Sequence, residues 1–189
     1  MKRLQSREDL ACWRQNCEER IAGIKCRILI CAGTGCLAGG SEKIYEKMCS
    51  LCRTDPDTEI VFGPEAAHDH SDIDVQKSGC HGFCEMGPLV RIEPYNYLYI
   101  KVKPEDCEEI YNTTVKNGKP VERLLYSMDG VTYPAQEDIP FYAKQMRLVL
   151  KNCGRIGAEH IEEALAFDGY KALEKALFEM KPEEVTPSP

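Results

Sequence analysis

Two cysteine-bearing bends set the terms on which this chain can fold. The first, CAGTGCLAGG at 31–40, follows the apolar run Ile28-Leu29-Ile30 and precedes a helical stretch, so it lies where a strand hands over to a helix. The second is SGCHGFCEMGPL at 78–89. Cys31-x4-Cys36 and Cys80-x3-Cys84 put four thiols in two glycine-containing loops that can converge on one site, provided the backbone brings two distant bends together. Gly33, Gly35, Gly79, Gly82 and Gly87 leave room there and let backbone N–H groups turn toward negatively charged sulfur.

The chain has 189 residues, 43% of them hydrophobic, enough for a packed core. Its net charge of -7, from 31 acidic and 24 basic residues, argues against a general affinity for nucleic acid or anionic membranes. The first twenty residues mix charges of both signs and lack an apolar core, so they resemble neither a signal peptide nor a membrane span. Eleven cysteines, an odd number in a chain long enough to fold without staples, fit a secreted disulfide scaffold poorly. A cytoplasmic location is expected, where clustered cysteines read as metal ligands and scattered ones as small buried hydrophobes.

Along the chain, Leu4, Leu10, Trp13, Cys17 and Ile21 recur at helical steps, predicting an N-terminal docking helix within 1–24. Residues 25–126 then read as an α/β sandwich. It contains a buried strand from Lys25 to Cys31 and a helix N-capped by Ser41, with Ile44, Tyr45, Met48, Leu51 and Cys52 inward. A short strand at 59–62 and a polar loop EAAHDHSD follow, then a short run at 73–76. PLVRIEP and YLYIKV form a hairpin, and a helix opened by Pro104 stops near Asn117-Gly118. Residues 127–140 read as a linker, and 141–189 as a helical segment, with helices at 141–152 and 159–180 broken near Gly154 and Gly169 before a proline-rich tail. No internal repeat is seen.

Several chemistries compete for the two bends. Gly33-x-Gly35-x-x-Ala38 satisfies the dinucleotide fingerprint, but the acid needed to hold a ribose is offered only by Glu65, beyond the second strand and past the usual spacing. Four cysteines are what a [2Fe-2S] cluster needs, two sulfurs to each iron. They also satisfy structural zinc, which would make the chain a four-cysteine interaction module without redox activity. Disulfides within each loop are a third possibility.

The C-x4-C…C-x3-C pattern, the GC-x-x-x-C-x-x-G-P surroundings of the second pair and the following strand LVRI resemble the thioredoxin-like [2Fe-2S] ferredoxins. Such domains are found in the small subunit of NADH dehydrogenases and in NAD-linked hydrogenases and formate dehydrogenases. The resemblance covers about 25–117. It implies a thioredoxin-like two-layer sandwich with a mixed sheet, cluster ligands Cys31, Cys36, Cys80 and Cys84, and one-electron transfer at low potential. A second segment, about 147–185, resembles the opening of the flavin-binding NADH-oxidising subunit, as in the beta subunit of electron-bifurcating [FeFe] hydrogenase. In that family a glycine-rich loop for FMN and NADH follows; here TPSP does. The expected partner is therefore a flavoprotein or iron–sulfur subunit of an NAD(P)-linked redox complex, contacted through the first or last helices, with a homodimer left open.

Other residues read more plainly. Cys49-x-x-Cys52 lies late in a helix, whereas a thioredoxin-type pair needs its first cysteine at a helix N-terminus. Cys12, Cys17, Cys26, Cys107 and Cys153 lie singly on predicted elements, and most of them read as core filling. His81 is expected beside the ligands or in solvent, and His68, His70, Asp69 and Asp72 in a solvated loop. Tyr95, Tyr97 and Tyr99 alternate along a strand. No nucleophile with an attached base is apparent, so side-chain catalysis is not indicated.

Overall fold

A computed structural model describes residues 4–55, 60–61, 73–157 and 159–186. By its backbone contacts the chain divides into Gly23–Glu159 and a second unit made of Met1–Ala22 with His160–Pro189.

The larger unit is built on a five-stranded mixed sheet of order β2-β3-β1-β4-β5. Its strands are β1 (Cys26–Cys31), β2 (Ile60–Val61), β3 (Ile73–Ser78), β4 (Val90–Glu93) and β5 (Tyr97–Tyr99). β1 and β2 each pair with β3 in parallel, while β1/β4 and β4/β5 are antiparallel. Sequence alone reads Ile73–Gln76 as a minor run after a loop; it is the centre of the parallel half. The polar residues Asp74 and Gln76 disguise it, because they point to the face opposite Ile73 and Val75.

That alternation gives the sheet two unlike faces. On one, Ile28 and Ile30 of β1 pack with Val75, Val90, Ile92 and Tyr99. Against them lie Ile44, Met48 and Cys52 of a helix Ser41–Thr54, and Ile110 and Tyr111 of a second helical stretch. We number these helices after α1 (Arg7–Gly23) and α2 (Thr34–Ala38), so Ser41–Thr54 is α3. The second stretch opens with a 3-10 turn at Pro104–Asp106, becomes α4 (Cys107–Ile110) and ends as a π turn at Tyr111–Val115. The Asp106 carboxylate accepts the Lys103 N–H at 2.8 Å, capping its start.

The other face carries charge. Arg27, Asp74 and Arg91 are all buried. Arg27 stands opposite Asp74 on one side and Glu93 on the other, both contacted at 3.4 Å.

This face is covered by the residues expected to form a linker. Tyr126–Met128 and Val131–Tyr133 are strands β6 and β7 of a hairpin. Its turn is Asp129-Gly130, both at positive φ, and Asp-Gly is the strongest short-range hairpin signal in a sequence. The chain then lies along the edge of β5, with the Leu98 N–H donating to Pro134 O at 3.0 Å. The helix expected at 141–152 is confined to α5 (Pro140–Ala143). Met146, Leu148, Val149 and Leu150 beyond it are exposed and offer no buried stripe to hold a longer helix.

The N-cap of α3 is Gly40, not Ser41. The chain enters from α2 through Gly39-Gly40, and only glycine readily takes the φ of 95° required there. Ser41 becomes the first helical residue, buried.

In the smaller unit α1 buries Cys17, and its Arg7 and Arg14 hold Glu174 of a C-terminal helix at 2.6 and 3.1 Å. The C-terminal helices are α6 (Ile161–Ala166), α7 (Lys171–Glu179) and α8 (Pro182–Val185). The expected break near Gly169 is present between α6 and α7. A methyl group on Gly169 would stand 2.4 Å from the Ala164 carbonyl oxygen. Among the described residues no helix is long and apolar enough to cross a membrane.

Candidate metal centre

Parallel pairing explains why the two bends meet. Cys31 ends β1 directly opposite Ser78, the last residue of β3, so both following loops leave the same end of the sheet. They are then stitched together: the Ala32 N–H donates to Ser78 O, and the Cys31 N–H to Leu89 O, each at 3.0 Å.

Cys31 and Cys36 are buried, Cys80 is half-buried and Cys84 is exposed. Cys36 lies on α2, a helical turn inside what the sequence presents as a loop. Cys84 opens a 3-10 turn, Cys84–Met86. The sulfurs of Cys80 and Cys84 are 3.7 Å apart. Gly33 and Gly35, which lie between the first loop's cysteines, stand against Cys80 and Cys84 of the second, and Gly87 lies against Cys36. The two loops therefore bring the four cysteines to one end of the sheet. Among the described residues no three His, Cys, Asp or Glu side chains gather as ligands around one point.

The electrostatics favour a thiolate at Cys31, while burial pushes the Cys80 thiol up. The Cys31 thiol is pushed down to about 6, first because Cys36 donates to it, and further by the backbone N–H groups of His81 and Gly33. Cys36 is correspondingly raised and keeps the proton the pair shares. The Gly82 N–H donates to Cys80 Sγ at 3.3 Å.

Glycines make the approach possible. A methyl group on Gly33 would stand 3.1 Å from Cys80 Sγ, and one on Gly87 2.8 Å from Cys36 Sγ. At Gly35 the nearest atom would be Cys84 Cβ, at 3.5 Å.

This donor set fits a [2Fe-2S] cluster. Tetrahedral metal sites with bonds of about 2.3 Å put two sulfurs on one metal roughly 3.7 Å apart. The Cys80–Cys84 separation already has that value. The Gly82 N–H turned on Cys80 suits negatively charged ligand sulfur, and glycine at 33 and 87 lets the two loops approach with no side chain between them.

The other cysteines stand apart. Cys49 and Cys52 face the core from within α3, and Cys17, Cys26 and Cys107 are buried. Cys12 is exposed, and Cys153 is half-buried beside Gly79. Tyr99 is in the core, while Tyr95 and Tyr97 stack on each other with centroids 5.4 Å apart. Glu65, His68, His70, Asp69 and Asp72 lie outside the described residues.

Of the two places expected for His81, solvent is excluded: it is fully buried next to Cys80, and its ring contacts Ser78 and Gln136. Burial pushes its pKa down to about 4, so the ring is neutral. Around it gather Arg91, Gln136, Tyr142, Arg147 and Gly154, of which the sequence singled out only Gly154, as a helix break. Their one sequence signal is the period-2 placement of Arg27, Asp74 and Arg91 among apolar strand residues, which requires a polar cover on that face.

Residues 19–114 match the thioredoxin-like [2Fe-2S] ferredoxin family. Among curated relatives, a "Ferredoxin, 2Fe-2S" of Aquifex aeolicus is 33% identical over 92 residues, 49% of this chain and 73% of that protein. A second "Ferredoxin, 2Fe-2S", from Clostridium pasteurianum, is 39% identical over 54 residues, 29% of this chain and 53% of that protein. A solved thioredoxin-like [2Fe-2S] ferredoxin from Aquifex aeolicus is 28% identical, with a TM-score of 0.44, covering 55% of this chain and 92% of that one. The matched stretch contains both cysteine pairs and the sheet that presents them, and the chain belongs to the thioredoxin-like [2Fe-2S] ferredoxin family, α/β electron carriers whose cofactor is a [2Fe-2S] cluster.

Proposed function

We propose that Cys31, Cys36, Cys80 and Cys84 hold the cluster and that the chain relays single electrons to or from a flavoprotein of an NAD(P)-linked hydrogenase or dehydrogenase. The observation that carries the ligand assignment is the meeting of the two cysteine loops, with the Cys80 and Cys84 sulfurs 3.7 Å apart and room for no side chain between Gly33 and Cys80 or between Gly87 and Cys36. The flavoprotein partnership is supported by the resemblance of 147–185 to the opening of an NADH-oxidising subunit.

When bound, the cluster supplies a reversible one-electron couple. The residues of this chain set its surroundings. Cys31 and Cys36 sit in the dry interior, where Phe83, Leu89, Leu98, Ile139 and Tyr142 exclude water. Cys84 lies at the surface and offers the short way out to a partner. The Gly82 N–H faces Cys80 Sγ at 3.3 Å and offsets negative charge there.

The test is chemical. Anaerobically purified protein is expected to be brown, to carry iron and labile sulfide in equal amounts, and to show a spin signal after dithionite reduction. Cys36→Ser or Cys80→Ser should strip or strongly disturb the cluster while Cys49→Ser leaves it intact; the reverse pattern overturns the ligand assignment. NADH alone should leave the visible bands unchanged, and NADH with an FMN-containing NADH-oxidising subunit should bleach them; bleaching by NADH alone overturns the need for a flavoprotein.

A further inference from the structure

His81, next to Cys80, is held by everything around it. Its Nδ1 lies 3.3 Å from Gln136 Oε1 and its Nε2 2.9 Å from Ser78 Oγ. Gln136 Oε1 also accepts from Arg91 at 2.9 Å. A guanidinium only donates, so that Gln136 atom is an acceptor; Nδ1 therefore carries the ring proton and Nε2 accepts from the Ser78 hydroxyl.

The backbone of His81 is engaged as fully. Its carbonyl accepts from the Tyr142 hydroxyl at 3.1 Å and from Arg147 at 2.6 Å, and the N–H of the same peptide unit, that of Gly82, donates to Cys80 Sγ at 3.3 Å. Gly154, at φ 81°, closes over the ring, where a methyl group would stand 2.8 Å from Nδ1. Gln136, Tyr142, Arg147 and Gly154 all lie beyond the stretch matched to the family, which ends at residue 114.

We propose that His81 is a positioning residue: through its ring, the cover formed by 136–154 locks the Cys80 loop so that the Gly82 N–H stays aimed at Cys80 Sγ, which raises the reduction potential of the bound cluster. The potential effect rests on the ligand assignment proposed above. Reduction adds negative charge that spreads onto the ligand sulfurs, so an N–H held against one of them favours the reduced state. A loop free to rock would lose that bond, and the buried ring of His81 is what holds it still.

Four variants that leave every cysteine in place test this: His81→Ala, His81→Asn, Gln136→Leu and Gly154→Ala. In redox titrations His81→Ala and Gln136→Leu should lower the reduction equilibrium constant on the order of tenfold, ~59 mV for a one-electron couple. Pulsed spin resonance in deuterated water should show the coupling of an exchangeable proton weakened. His81→Asn, whose amide can still donate to Gln136, should recover part of the potential, and Gly154→Ala should lower it by displacing the ring. Gln136→Leu leaves His81 in place and so remains informative if His81→Ala fails to fold. In metal-free protein the Gly82 amide should exchange with solvent faster in Gln136→Leu than in the parent chain. Unchanged potential and unchanged amide exchange in Gln136→Leu, with only a lower melting temperature, overturn the proposal. A parent chain that binds no iron overturns the ligand assignment instead, and the amide-exchange comparison still decides the positioning role.

Discussion

Gly33 lies so close to Cys80 that a methyl group on it would stand 3.0 Å from the Cys80 Cβ and 3.1 Å from its sulfur. The two loops touch across this point without a side chain between them. Gly87 bears the same relation to the Cys36 sulfur, at 2.8 Å. Gly87→Ala therefore forces Cys36 to rotate its sulfur away, and Gly33→Ala pushes on the Cβ of Cys80, which no rotation can relieve. Iron bound per chain after reconstitution is expected to fall several-fold in both. Gly35→Ala, whose methyl would meet Cys84 at the ordinary contact distance of 3.5 Å, should keep most of its iron.

Tyr99 is wholly buried, and its hydroxyl bonds to the Thr114 hydroxyl and accepts the Val121 N–H at 3.0 Å. Tyr99→Phe leaves that N–H buried without a partner, at a cost of about 1–3 kcal/mol. For a chain of this size each kcal/mol lowers the melting temperature by about 2–4 °C. Thermal unfolding of metal-free protein checks it; an unchanged midpoint contradicts the bridging role of the hydroxyl.

Arg27 and Asp74 face each other within the covered, polar side of the sheet, their side chains 5% and 8% exposed. Removing one member of a buried ion pair strands the other, which typically costs about 3–5 kcal/mol. Asp74→Leu is expected near the low end, because Glu93 still faces Arg27 at 3.4 Å. The double variant Arg27→Met, Asp74→Leu should be more stable than Asp74→Leu alone. Denaturant midpoints decide, and additive losses exclude the coupling.

Cys26, Cys52 and Cys107 have their thiols pushed up to about 12 by burial. Only the thiolate alkylates, and a raised pKa keeps these groups protonated throughout the neutral and mildly alkaline range. Iodoacetamide labelling followed by mass spectrometry should modify exposed Cys12 while leaving these three untouched until the protein is unfolded. Rapid labelling of Cys52 in folded protein contradicts the buried packing of α3.

Short-range patterns carried much of the fold. The Lys25–Cys31 strand, the inward face of α3, the Val90–Tyr99 hairpin and the break before α7 each follow from spacing and turn residues within a few positions. Asp129-Gly130 was an equally local signal, and its hairpin lies in residues whose lack of period suggested a linker. The central place of β3 was hidden because a strand with one apolar and one charged face looks polar in sequence. Its charges make sense only once Arg27 stands opposite Asp74.

Determined by the sequence itself are the two glycine-bearing cysteine bends and the strand and helix beside the first, because loop chemistry and residue alternation act on neighbouring positions. Left to the tertiary structure was whether those bends would meet. That depends on β3 lying parallel to β1 with Ser78 level with Cys31, a matter of register between segments far apart in the chain. The same long-range assembly carried Gln136, Arg147 and Gly154 onto His81, turning a polar residue in a loop into a fully buried one.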